Sequence, residues 1–181
     1  MTTEQVVYFE NPGGENTEQT LRLAKERAAA RGITRVVLAS TSGSTARLAM
    51  QAFAETGIKL VVVPWQFGFA DDQPFPADLV PALEAEGHRV HFGTMLFHTE
   101  AFYGSRAPRA LANLLRAFCE GVKVAVEILL MAADGGAVST GEKVIAIAGT
   151  TAGADTALVA TASPSTKLAK LHINEIICKP L

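Results

Sequence analysis

Apolar residues follow two rhythms along this chain, and they alternate. Residues 36–39 and 144–148 are short unbroken apolar runs, and 58–63 is one interrupted only by Lys59; all are rich in β-branched side chains, the pattern of strands covered on both faces. Residues 6–9, 88–92, 156–161 and 172–178 read as further strands. Between them apolar residues return every three to four positions. Ala46, Ala49, Met50, Phe53 and Ala54 share one helical face that stops near Gly57. A helix is expected over 17–30, with Asn16 or Thr17 as cap, Glu15 and Glu18 near its positive end, and Gly32 as its stop. Residues 79–86 form a shorter one. Leu111, Leu114, Leu115, Phe118, Val122, Ala125, Val126 and Leu129 make one long stripe over 108–134, which Gly121 bends or divides.

Strands alternating with helices specify an α/β fold with a sheet that is mostly parallel at its centre. The last two strands have only the turn Ser163-Pro164-Ser165-Thr166 between them and no crossover helix, so an antiparallel edge is expected. If 36–39 and 144–148 are central neighbours with helices on opposite faces, the loops after both open into one crevice at the topological switch point.

Those two loops carry the candidate chemistry. Ser40, Thr41, Ser42, Gly43, Ser44 and Thr45 place five hydroxyls in six positions, between a strand and the start of a helix. Unsatisfied N–H donors and the helix dipole make such an end suit a phosphate or carboxylate, and Gly43 lets backbone approach a ligand. The competing reading is a plain serine cap, but one cap needs one hydroxyl. No Walker loop or dinucleotide fingerprint is present. The second loop is Gly149-Thr150-Thr151-Ala152-Gly153-Ala154-Asp155. Trp65, Phe67 and Phe69 follow a buried strand, where they either stack on a planar ring or pack under a loop or against another subunit. His98 lies in an apolar, aromatic loop with no sequence neighbour to orient it. Lys123 and Glu127 stand four apart in the weaker Lys-before-Glu order, and a solvated outer face is the favoured reading, with a pair turned into a site as the alternative.

Composition narrows the partners. The 181 residues suit one domain spanning 1–181, with 49% hydrophobic and 19% charged residues and a net charge of −2. With no basic cluster, nucleic acid is not an expected partner. No apolar run approaches the length of a membrane span, and the N-terminus does not read as a signal peptide. Cys119 and Cys178 form no metal or redox motif, which suggests free thiols in the cytoplasm and no metal site. Exposed aromatic loops are surfaces that homo-oligomers bury, so self-association is an open expectation.

Residues 36–63, with Ser40 to Ala46 at their heart, resemble the C-terminal allosteric domain of pyruvate kinase. Nearly the whole chain is similar to free-standing prokaryotic proteins described as pyruvate kinase alpha/beta domain-like. The similarity is carried by Tyr8-Phe9-Glu10-Asn11-Pro12-Gly13, Glu15-Asn16-Thr17, the hydroxyl turn, Gly121-Val-Lys-Val-Ala-Val-Glu127, and Ile147-Ala-Gly-Thr150 with Gly153-Ala-Asp155. It implies a three-layer αβα sandwich whose mixed sheet has an antiparallel edge strand. It does not imply kinase activity, because that enzyme's catalytic TIM barrel takes about 250 residues by itself. In the kinase the matching turn holds an effector phosphate; in the free-standing relatives it is associated with flavin mononucleotide (FMN). By that resemblance Ser40 to Thr45 hold the phosphate, and Gly149 to Asp155 line the ribityl chain or ring. Trp65, Phe67 or residues near Thr94 flank the isoalloxazine. The resulting expectation is a phosphate-bearing cofactor, with an oxidoreductase role left open. The alternative is a non-catalytic sensor of a phosphorylated metabolite.

Overall fold

The computed structural model describes residues 1 and 3–181. In chain order the elements are β1 (Val7–Phe9), α1 (Thr17–Arg31), β2 (Arg35–Ala39), α2 (Ser44–Phe53), β3 (Lys59–Val63), α3 (Leu79–Ala85) and β4 (Arg89–Val90). There follow α4 (Glu100–Tyr103), α5 (Ala107–Arg116), α6 (Glu120–Asp134), β5 (Lys143–Ala148), β6 (Thr156–Thr161) and β7 (His172–Pro180). Among the described residues the strands form one seven-stranded sheet, ordered β1-β7-β6-β5-β2-β3-β4.

The unbroken apolar runs have the predicted cause: both sheet faces are covered. Val36, Leu38, Leu60, Val62, Ile145 and Ile147 turn to one face, where Leu21 and Ala24 of α1, Ala46 and Phe53 of α2, and Leu79 and Leu83 of α3 meet them. Val37, Val61, Val144, Ala146 and Ala148 turn to the other, against Val122, Ala125, Ile128 and Leu129 of α6. This is the expected three-layer αβα sandwich. β2 pairs in parallel with both β3 and β5, so the two loop-bearing strands are neighbours at the centre.

The mixed sheet is also as expected, and its antiparallel strand is β6, which runs against β5 and β7. Two strands lie outside it, because β7 pairs in parallel with β1 beyond. The predicted strand 88–92 contracts to Arg89–Val90, an edge strand paired on one side only.

The long helical stripe is divided, though not by Gly121. The break falls before α6, where Cys119 is extended (φ 175°, ψ 169°) and its Sγ accepts from Val122 N at 3.4 Å. Gly121 sits inside α6, where it lets the helix touch β6: an added Cβ would overlap Thr156 Oγ1 and stand 2.5 Å from Thr156 Cβ. α5 buries Ala112, while Leu111, Leu114 and Phe118 of the same predicted stripe are exposed. Cys178 is buried, and burial pushes its thiol up to about 11.

Candidate functional site

β2, β3 and β5 end at the same edge of the sheet, and each is followed by a loop that borders one cavity of about 460 Å³. α6 forms the opposite wall through Lys123, Val124, Glu127 and Ile128. Mainly because of this topology, segments far apart in sequence converge.

The hydroxyl turn after β2 is folded by its own first residue. Ser40 N donates to Val63 O at 3.3 Å, and Ser40 Oγ accepts from Ala46 N at 3.2 Å. Gly43 occupies the N-cap of α2 at φ 81° with no side-chain cap. Ser40, Thr41, Ser42, Ser44 and Thr45 all border the cavity, and the Ser42 and Ser44 hydroxyls lie 3.0 Å apart. Gly43 does not border it. A Cβ there would meet Leu79 at 2.8 Å and Pro76 at 3.0 Å, so its bareness serves the turn's left-handed backbone and its packing near α3. This corrects the expectation that Gly43 clears space for a ligand.

The loop after β5 divides in the same way. Gly149, Thr151, Ala152 and Gly153 border the cavity, whereas Thr150 and Asp155 do not. The Asp155 carboxylate is fully buried behind the loop. Its Oδ2 accepts from Gly13 N at 3.0 Å and Thr150 N at 3.1 Å, and its Oδ1 from Thr156 Oγ1 at 2.8 Å. Asp155 therefore clamps the loop to the N-terminal segment rather than facing a ligand. Thr151 holds φ 63°, an uncommon conformation for a β-branched residue.

Of the aromatic candidates, Trp65 borders the cavity, next to Phe69 at 5.0 Å, edge to face, with Met95 completing an apolar wall. Phe67 is 67% exposed and packs on Phe92 outside it, and Thr94 is exposed outside it as well. The resemblance implied these two beside the ring; the turn of the chain places both outside the cavity lining.

The Lys123–Glu127 pair is not a solvated face. Both residues are buried, with Lys123 Nζ donating to Glu127 Oε2 at 2.7 Å. Glu127 Oε1 accepts from Phe97 N at 2.8 Å and meets His98 Nδ1 at 3.3 Å. His98 also packs edge-on to Phe69 at 5.1 Å. It borders both this cavity and an outer hollow with Arg109 and Arg116 on its wall. The signal for the pair was present in sequence: α6 is apolar on every side around it, from Val122 to Met131, leaving no polar face for it to occupy. The orienting partner of His98 lies 29 positions away, beyond any local pattern.

Among the described residues no group of three or more His, Cys, Asp or Glu is placed to hold a metal, and no helix is long and apolar enough to cross a membrane.

No family model matches the chain. A pyruvate kinase structure from Cryptosporidium parvum is similar at 15% identity and a TM-score of 0.40, over 72% of this chain and 20% of that one. The Cryptosporidium parvum pyruvate kinase in complex with ADP is similar at 16% identity and a TM-score of 0.42, over 79% of this chain and 22% of that one. The chain spans about a fifth of the length of each.

Proposed function

We propose that the cavity binds a phosphate-bearing cofactor, FMN, and that the protein serves an oxidoreductase reaction. The observation that carries this reading is a convergence. The start of α2, where Ser40 Oγ takes up only the Ala46 N–H and the N-cap Gly43 brings no side chain, opens with the hydroxyls of Ser42, Ser44 and Thr45 into the same cavity as the apolar wall of Trp65, Phe69 and Met95. Backbone donors and dipole at that helix end suit a phosphate, and an aromatic, apolar wall suits a planar ring. A volume of about 460 Å³ falls in the range of roughly 300–1,000 Å³ usual for cofactor sites. A flavin bound there supplies the hydride or electron chemistry. The chain's own residues bind the phosphate, cover the ring and exclude water.

The test is the absorbance spectrum of protein purified without added cofactor, followed by titration with FMN. Flavin bands, or saturable FMN binding that Ser42→Glu abolishes by placing a negative charge in the turn, support the reading. A colourless protein that refuses FMN refutes it; tight binding of a sugar phosphate instead identifies a metabolite sensor.

A further inference from the structure

The buried ion pair of α6 is left unused by the phosphate turn and the aromatic wall. Lys123 and Glu127 are 2% and 3% exposed. Removing two charges from water is offset only where their remaining donors and acceptors are satisfied. Glu127 meets that condition through Lys123, the Phe97 N–H and His98. Lys123 does not. An ammonium carries three donors, and among the described residues Glu127 is the single hydrogen-bond partner of Nζ. Its other contact is the Phe97 ring, 5.7 Å from Nζ to the centroid, a cation–π contact that takes up no hydrogen-bond acceptor. A nearly buried cation with two unspent donors thus forms part of the cavity wall.

We propose that Lys123 is the second polar anchor of the ligand, donating to an electron-rich oxygen or nitrogen on the planar part of the molecule whose phosphate the α2 turn holds. This rests on the cofactor reading above. Glu127 is a positioning residue: it fixes Nζ, and the Phe97 N–H and His98 hold it in turn. The same placement favours a reduced ring. Reduction by two electrons with uptake of one proton adds one negative charge, which the ammonium donating to the ring attracts more strongly than the Glu127 carboxylate behind it repels. The reduction potential is therefore higher with Lys123 than without it. A purely structural pair, joining α6 to the segment around Phe97, would leave both affinity and potential indifferent to its neutral replacement.

The test compares wild-type protein, Ser42→Glu and the double variant Lys123→Met/Glu127→Gln, each titrated with FMN and with riboflavin, which lacks the phosphate. The double variant keeps the length of the Glu127 side chain and an acceptor for the Phe97 N–H, and shortens the Lys123 side chain by one atom. It is expected to unfold as cooperatively as wild type and to lose affinity for both flavins about ten- to a hundredfold, the loss of a hydrogen bond from a charged group. Its bound flavin also has a more negative potential. Ser42→Glu weakens FMN only. A folded double variant with unchanged affinity and potential overturns the Lys123 anchor and leaves the cofactor reading standing. Wild-type protein that binds neither flavin overturns both. A measurement on wild type alone guards against a variant that fails to fold: with isotope-labelled lysine, the buried ammonium resonance shifts on adding riboflavin, and an unmoved resonance overturns the anchor.

Discussion

Gly121→Ala sets two physical effects against each other with opposite signs. Helix propensity favours the change, because alanine gains about 1 kcal/mol over glycine in a helix interior. Packing opposes it. An added Cβ overlaps Thr156 Oγ1 and stands 2.5 Å from Thr156 Cβ and 2.9 Å from Asp155 Oδ1. Rotating the Thr156 side chain moves its hydroxyl but not its Cβ, so β6 or α6 must shift. The rotation also breaks the hydrogen bond from Thr156 Oγ1 to Asp155 Oδ1, 2.8 Å long and fully buried. Overpacking costs about 1–3 kcal/mol, and a lost hydrogen bond to a charged group about 1.5–3 kcal/mol. Packing wins, leaving a net destabilisation of about 1.5–5 kcal/mol. At this chain length each kcal/mol moves the midpoint by about 2–4 °C, so thermal unfolding is expected to fall by about 3–20 °C. Because Asp155 also holds the Gly13 and Thr150 N–H groups, hydrogen exchange at Thr150 accelerates in the variant. A melting temperature equal to or above wild type would refute the packing argument and leave propensity in charge.

Two further outcomes follow from backbone strain and from titration. Thr151→Gly relieves a β-branched residue at φ 63°, a conformation costing about 1–3 kcal/mol. Glycine's extra unfolded-state entropy returns roughly 0.5–1 kcal/mol of that. The variant is therefore expected to melt at or above wild type while binding FMN more weakly; a clear loss of stability would show that the loop is not strained. Stability is also expected to fall in two stages on acidification. Burial lowers His88, helped by the charge of Lys59, and burial with Arg89 lowers His91. At Glu175 burial pushes the carboxyl up, but hydrogen bonds from Arg31 and Arg27 outweigh it and the net shift is down. In all three the unfolded chain binds more protons than the folded one, so stability rises with pH. The histidine share is lost below about pH 6.5 and the Glu175 share below about pH 4.3. Urea unfolding across this range checks both, and a flat profile between about pH 7 and 5 contradicts the histidine share.

The layers of this fold were legible because each strand's apolar run has a local cause. Val36 to Leu38 and Val144 to Ala148 are buried on both faces, and no other environment for such short runs suits their composition. Of the strand order, only the adjacency of β2 and β5 was anticipated, as a supposition suggested by their loops, since nothing within either strand encodes that they pair. What the pattern could not carry was the direction of single side chains. Phe67 and Trp65 stand two positions apart, and only Trp65 reaches the cavity. Gly121 reads as a helix breaker by propensity and is instead a contact surface, because the residue it makes room for, Thr156, lies on another element. Lys123 and Glu127 differ from the surface-pair expectation for the converse reason: around them α6 is buried from Ala125 to Ala132, and neither position faces solvent.

That burial bears on how the site is built. α2 leaves β2 toward one face of the sheet, and α6 lies on the other, so the crevice between β2 and β5 is walled by elements from both layers. The hydroxyl turn is tied by Ser40 to the sheet at Val63 and to α2 at Ala46. The opposing charges ride on α6, whose register is set by the close contact of Gly121 with β6. The loop between β5 and β6 is fixed from behind by Asp155. Three supports hold the cavity, and two of them meet at the Asp155–Thr156–Gly121 contact, which lies outside the cavity lining. A substitution there displaces α6 and the Gly149–Gly153 loop together, whereas one at Ser42 or Trp65 acts on a single wall. Binding defects that arise with lost stability are thus expected from the β6–α6 contact, and binding defects without it from the rim.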